Sequence, residues 1–121
     1  MPDNWSDDQP IYKQLRERVA GLIMNGSFKE GDAIPSVRNV AAESNVNHLT
    51  VSKAYQELVD EGVLEMKRGR GMFVVEGAQD KLQHEERNKF ISEELPALLG
   101  RIQDLDISVN ELVGLLKSEN N

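Results

Sequence analysis

Three cations and two glycines stand close together in the segment KRGRGMFV, residues 67–74, of a chain whose formal net charge is −7. Lys67, Arg68 and Arg70 can neutralise phosphate groups, and the glycines allow a backbone to approach a ligand closely. A dinucleotide-binding loop needs a third glycine and then a helix, whereas Val74 occupies that position and strand-forming residues surround the segment. The segment therefore predicts the tip of a β-hairpin, which either contacts nucleic acid or is a solvated turn.

A second group of candidate residues lies on a helix predicted for residues 47–61. With Val51 taken as pointing inward and about 100° per residue, the outward face is small, polar and cationic. It carries Leu49, Ser52, Lys53 and Gln56, with Thr50 to one side. Such a face can lie in the major groove, where Lys53 and Gln56 bond base edges or phosphates and Leu49 contacts a thymine methyl. An ordinary solvated helix has the same composition, so the helix alone leaves both interpretations open.

Two further residues have positions that suit an anion. Arg38 lies in the first turn of the helix predicted to follow Ser36, where the helix dipole already favours negative charge. A bound phosphate would explain this arginine, and a surface pair with Glu43 is the alternative. His48 begins the next helix, where it either contacts phosphate or packs against the hairpin.

The spacing of apolar residues and the positions of capping residues predict the elements that hold these groups. In chain order they are a helix over about 10–25, a very short strand at 33–34, a helix from Ser36 to about residue 45, a helix from Asn47 to Gly62, and two strands flanking KRGRG. Two short helices with a tight joint are typical of a helix-turn-helix. The pattern predicts a helix-turn-helix followed by a hairpin.

From Gln79 onward a leucine-rich pattern that begins at Leu82 predicts a long amphipathic helix, and Ser108 is a good N-cap for a short second one. Pro96 is expected to kink or split the long helix near Leu95. Two helices cannot bury such an apolar face alone. We therefore expect dimerisation through Phe90, Ile91, Leu95, Leu98, Leu99, Ile102, Leu112 and Leu116.

The composition limits the possible functions. The chain has no cysteine, which excludes a disulfide framework, a thiolate metal site and a thiol nucleophile, and favours the cytoplasm. The acidic start MPDNWSDDQP does not resemble a signal peptide, and no apolar run approaches about 18 residues, so no membrane partner is expected. Neither His48 nor His84 has metal-ligand spacing, and G-x-S-x-G is absent. We predict no metal, cofactor or catalytic residue.

The charge is unevenly distributed along the chain. Residues 1–78 carry nine basic and twelve acidic side chains, and residues 79–121 carry five and nine. An acidic chain attracts a polyanion weakly over long distances. Any polyanion-binding site is therefore expected to be local, around the few places where cations cluster.

Two runs of sequence, PIYKQL and GDAIPSVRNVAAESNVNHLTVSKAYQELVDEGVLEMKRGRGMFV, resemble the GntR family of bacterial transcription regulators over nearly all of residues 10–75. The resemblance implies a winged-helix DNA-binding domain. The DNA contacts of the family carry over to Arg38, Asn47, His48, Thr50, Ser52, Lys53, Arg68, Gly69 and Arg70. The short tail, with its segment LDISVNELVGLL, is similar to the YtrA subfamily, whose members have a pair of C-terminal helices for dimerisation in place of a ligand-binding domain.

Together these observations predict a mainly α fold with a small β-hairpin. It comprises an N-terminal arm (1–9), a winged helix-turn-helix domain (10–77) and a helical dimerisation region (78–121). We expect a cytoplasmic, homodimeric repressor that binds a pseudo-palindromic operator in double-stranded DNA and catalyses no reaction. The sequence identifies no small-molecule effector. The alternative, favoured by the net negative charge, is a winged-helix protein–protein interaction module.

Overall fold

A computed structural model of the chain describes residues 5–119, so the first four residues of the predicted N-terminal arm lie outside the described residues. The chain divides into two compact units, the first ending at His84 and the second beginning at Glu85. The elements that begin in the first unit are α1 (Ile11–Met24), α2 (Val37–Ser44), α3 (His48–Asp60), β1 (Leu64–Lys67), β2 (Gly71–Val74) and α4 (Ala78–Lys89). They confirm the predicted helix-turn-helix followed by a hairpin.

The joint between α2 and α3 is fixed by capping residues. The Ser36 hydroxyl accepts a hydrogen bond of 3.1 Å from the Asn39 amide, and the Asn47 side chain accepts one of 2.8 Å from the Leu49 amide. Asn45 ends α2 with φ of 52°, a left-handed conformation that asparagine tolerates better than most residues. These caps confirm the helix starts predicted at Ser36 and Asn47.

The core of the first unit lies where α1 and α3 pack together beneath the hairpin. The apolar side chains that its helices contribute are buried at the helical spacing seen in the sequence, and the hairpin adds further buried side chains. The largest fully buried ones are Tyr55, Leu15, Ile23, Leu58, Leu64, Val19, Val40, Val51, Val63 and Val74. This core holds the outer face of α3 in place.

The start of α4 belongs to this core. Ala78 and Leu82 are almost fully buried in it, and the Glu30 carboxylate accepts hydrogen bonds from the Gly77 and Gln79 amides. The boundary predicted after residue 77 therefore coincides with the start of α4, whereas the compact unit extends to His84. Leu82 was assigned by its spacing to the apolar face of the tail, and that assignment is wrong.

The hairpin is an antiparallel pair in which Leu64 lies opposite Val74 and Lys67 opposite Gly71. Ala33 pairs with Phe73 in a single bridge. The strand predicted at 33–34 is thus reduced to one bridge residue at the edge of a two-stranded sheet.

The second unit contains a π-helical turn (Phe90–Glu94), α5 (Leu95–Asp104) and α6 (Val109–Glu119). The Leu95 amide donates to the Phe90 carbonyl, five residues back, directly before Pro96 in the first turn of α5. Because proline has no amide proton and crowds the preceding turn, the regular hydrogen-bond pattern is interrupted at this point, as predicted. The Ser108 hydroxyl accepts from the Glu111 amide at 3.1 Å and caps α6, which confirms the second predicted helix.

Apolar side chains of the second unit remain largely exposed. Between Glu85 and Glu119 no described side chain is buried. Of the residues predicted for dimerisation, Leu95, Ile102 and Leu112 are half-buried, and the exposed ones are Phe90, Ile91, Leu98, Leu99 and Leu116. Within residues 5–119, no helix has the length and apolar character needed to cross a bilayer.

Candidate nucleic-acid interface

The outer face of α3 is formed by the residues that the helical spacing predicted. Val51, Ala54 and Leu58 are completely buried, which turns the opposite side of the helix toward solvent. On that side Asn47, His48, Leu49, Ser52, Lys53 and Gln56 are exposed, and Thr50 is half-buried. Leu49 is 68% exposed, so its apolar side chain is accessible to another molecule.

Two polar side chains of this face already have partners within the chain. The side-chain oxygen of Asn47 is engaged in capping α3, and the Gln56 amide donates to the Asp60 carboxylate at 2.9 Å. Both side chains retain further hydrogen-bonding capacity, because an amide group carries two donor protons and a carbonyl oxygen that can accept twice. Their local bonds restrict the rotamers from which they can reach another molecule.

Lys53 lies over an aromatic ring supplied by α1. Its ammonium nitrogen is 4.0 Å from the centroid of the Tyr12 ring, and the ammonium of Lys13 lies 5.6 Å from the same centroid. Tyr12 is absent from the residues predicted from the sequence, although it lies in the run PIYKQL that carries part of the family resemblance. No local pattern connects positions 12 and 53, since they meet only when α1 packs against α3.

The structure brings Arg38 and His48 to one surface depression. Together with Val37 and Ala41 they line an open cavity of about 380 Å³. Arg38 is exposed in the first turn of α2, and it forms no salt bridge with Glu43 or with any other residue between 5 and 119. The arginine is therefore available to an anion at this depression, while its own helix start already favours negative charge.

The hairpin tip, residues 67–71, holds its cations around a phenylalanine. Lys67 and Arg70 lie 4.4 Å and 5.3 Å from the centroid of the Phe73 ring, and Lys67 is also 3.7 Å from the Glu65 carboxylate. Arg68 lies in the turn and is exposed. The tip thus presents Arg68 outward, with two further cations held at its base.

Glycine is required in this turn. Gly69 and Gly71 have φ of 74° and 106°, values at which other residues are strained. The Arg70 amide donates to the Lys67 carbonyl at 2.8 Å and closes the turn. The glycines therefore form the tight turn of the hairpin tip and not a phosphate-binding loop.

An ion pair fixes the far end of α3. Arg16 of α1 donates through two of its nitrogens to the Glu61 carboxylate, one of these bonds being 3.1 Å. Burial by itself lowers the pKa of Arg16, but the hydrogen bond and charge of Glu61 outweigh it and leave the pKa raised. The guanidinium is therefore always charged, and it anchors α1 to the end of α3.

The family model for bacterial regulatory proteins of the gntR family matches residues 11–74, which include α1, the helix-turn-helix and the hairpin. This chain belongs to the GntR family. The match confirms the resemblance seen in the sequence, and as a GntR member the chain is a DNA-binding transcription regulator and not an enzyme. The exposed face of α3 and the cationic hairpin are thus parts of a GntR-type winged helix.

Relatives and solved structures agree with this assignment. The chain is 42% identical over 90 residues to the HTH-type transcriptional repressor YtrA of Bacillus subtilis, covering 74% of this chain and 68% of YtrA. A GntR family transcriptional regulator from Listeria monocytogenes is 26% identical with a TM-score of 0.74, covering 94% of this chain and 98% of that one. The DNA-binding domain of AraR, solved in complex with operator ORX1, is 25% identical with a TM-score of 0.58, covering 62% and 95%.

Proposed function

We propose that this GntR regulator is a homodimeric, cytoplasmic repressor that binds a pseudo-palindromic operator. The observation that carries the proposal is the exposed face of α3, on which Lys53 projects from a helix held by a rigid core. In a symmetric dimer, two such helices would enter successive major grooves about 34–36 Å apart on one side of the duplex.

The exposed residues divide into two kinds of DNA contact. Leu49, Lys53 and Gln56 lie on the outer face of α3, where side chains reach base edges, whereas His48 shares a surface depression with Arg38 and suits a phosphate contact. Arg38 at the α2 start and Arg68 at the hairpin tip carry positive charge suited to phosphate or to the minor groove. The first group would select the sequence, and the second would fix the position of the protein on the duplex.

The tail supplies the dimer in this proposal. Phe90, Leu98 and Leu99 are 44%, 48% and 46% exposed, and apolar side chains with this exposure favour burial against a second copy. A pair of helices from each protomer would bury these residues together.

Repression is proposed from the relatives. YtrA of Bacillus subtilis is a transcriptional repressor. A dimer that occupies an operator blocks polymerase without any second activity, so binding alone is sufficient for this mode of regulation. This mode of regulation requires no cofactor, and we assign no small-molecule effector.

The proposal is tested by selecting binding sites from random duplex DNA and measuring affinity by fluorescence anisotropy. We expect an inverted repeat among the selected sites, and binding that weakens steeply with salt because phosphate contacts release counterions. Equal affinity for selected and scrambled duplexes would refute the proposal. Salt-insensitive association with a protein partner, without DNA binding, would instead support a protein–protein interaction module.

A further inference from the structure

The contact between Tyr12 and Lys53 joins the start of α1 to the outer face of α3. The ring is half-buried, whereas Lys53 is exposed with its ammonium 4.0 Å from the ring centroid. A cation over the face of a tyrosine is attracted by the negative charge of that face. The lysine that faces DNA in the proposed function is therefore held by a residue outside the helix-turn-helix.

In the proposed function Lys53 binds an anion, so it matters whether its partner within the protein is a carboxylate or an aromatic ring. Glu57 lies one helical turn after Lys53, the spacing at which helical acid–base pairs form, but no salt bridge joins Lys53 to an acid among residues 5–119. A carboxylate would neutralise the ammonium and would have to be displaced by phosphate. The Tyr12 ring covers one side of the ammonium without cancelling its charge, so its remaining N–H donors can face an acceptor.

The contact with Tyr12 also lowers the entropic cost of binding DNA through Lys53. A free lysine side chain samples many rotamers, and immobilising it on DNA costs conformational entropy. Contact with the ring restricts these rotamers before DNA arrives, so less freedom is lost on binding.

We propose that Tyr12 is a positioning residue that pre-organises Lys53 for contact with the operator. The inference rests on the proposed function, because it assumes that Lys53 contacts DNA. Its chemical basis is the aromatic face, which Tyr12→Phe keeps and Tyr12→Leu removes. Pentafluorophenylalanine at position 12 keeps the shape of a ring but reverses the charge of its face.

The free protein provides the first test. Protons of the Lys53 side chain next to the ammonium lie over the Tyr12 ring, so ring-current shielding should move their NMR signals upfield. We expect the upfield shift in wild type and in Tyr12→Phe, and its loss in Tyr12→Leu. Random-coil shifts for these protons in the folded wild type would overturn the inference.

A double-mutant cycle on the selected operator provides the second test. Tyr12→Leu should weaken binding about two- to fivefold in wild type, the range expected for an exposed cation–π contact, and should have no such effect in Lys53→Ala. Equal losses in both backgrounds would overturn the inference while leaving the proposed function intact. No sequence-preferring binding by wild type would overturn the proposed function, and the inference with it.

Two variants guard against a trivial loss of folding. The fluorinated ring packs like the native one, so it should reproduce the effect of leucine if the aromatic charge is responsible. Wild-type affinity with the fluorinated ring would contradict the inference. Tyr12→Phe keeps the aromatic face, so the double-mutant cycle should still show coupling to Lys53. Any contribution of the hydroxyl to binding appears equally in wild type and in Lys53→Ala, so it cancels in the cycle.

Discussion

The hydroxyl of Tyr55 donates a hydrogen bond of 2.7 Å to the backbone carbonyl of Pro35. Tyr55 is 1% exposed on the buried side of α3, and Pro35 directly precedes the cap of α2. This single bond connects α3 to the segment from which Arg38 projects. The bond therefore helps to fix α3 relative to Arg38, and in the proposed function both contact the same DNA.

Tyr55→Phe should change the dependence of stability on alkaline pH. Burial raises the pKa of Tyr55 from 10.0 to about 12, so above pH 10 the unfolded state loses a proton that the native state keeps. This group's contribution to the free energy of unfolding is complete below pH 10 and falls by about 1.4 kcal/mol per pH unit as pH rises toward 12. Denaturant titrations of wild type and Tyr55→Phe at several pH values above 10 measure how the free energy of unfolding of each protein depends on pH. Parallel pH profiles would contradict the prediction.

The same substitution should cost roughly 1 kcal/mol of stability at neutral pH, because the Pro35 carbonyl loses its donor. Tyr12→Phe serves as a matched control, since it removes a hydroxyl from the protein's other tyrosine, which is only half-buried. We expect the control to leave the stability at neutral pH close to that of wild type.

Arg38→Ala and Lys53→Ala should each weaken operator binding without unfolding the protein. Both side chains are exposed, so no core contact is lost. We expect about 1–3 kcal/mol for a bidentate or charge-assisted contact, and less for a single phosphate contact. Anisotropy titrations against the selected operator provide the measurement. Lys29→Ala removes an exposed cation outside the helix-turn-helix and the hairpin and is the control; wild-type affinity for both test variants would refute the assigned surface.

Leu49 should confer a preference for thymine at one position of each half-site. The side chain is 68% exposed, and burial of a thymine methyl against it contributes about 0.8 kcal/mol, or roughly fourfold in affinity. Replacing thymines of the operator by deoxyuridine one at a time removes single methyl groups. One replacement should weaken wild type and leave Leu49→Ala unaffected. If every replacement affects both proteins alike, Leu49 does not read a methyl group.

Leu98→Asp should separate the dimer. The substitution places a charge on the exposed apolar face of α5, where pairing with a second copy would have to bury it at a cost of several kcal/mol. Light scattering should report the mass of a monomer, and binding to an inverted repeat should weaken. Gln103→Asp introduces the same side chain at an exposed polar position of α5 and should leave the dimer intact. A dimer mass for Leu98→Asp would contradict this interface.

The sequence by itself determined the elements and their order. The helix starts at Ser36, Asn47 and Ser108, the turn at KRGRG and the interruption before Pro96 all depend on interactions within a few residues. Capping, glycine conformation and the missing proline amide act locally, so their residue types are sufficient to predict them. The buried and exposed faces of α3 followed from the helical period for the same reason.

Only the tertiary structure decided which distant residues meet. The ring of Tyr12 reaches Lys53, Arg16 reaches Glu61, and Leu82 joins the core of the first unit because packing brings together segments far apart in the chain. Leu82 fits the apolar spacing of the tail equally well, so spacing could not choose between two faces that both needed burial. Local periodicity predicts whether a side chain faces the core or the solvent, whereas the packing of whole helices determines which distant residue it contacts.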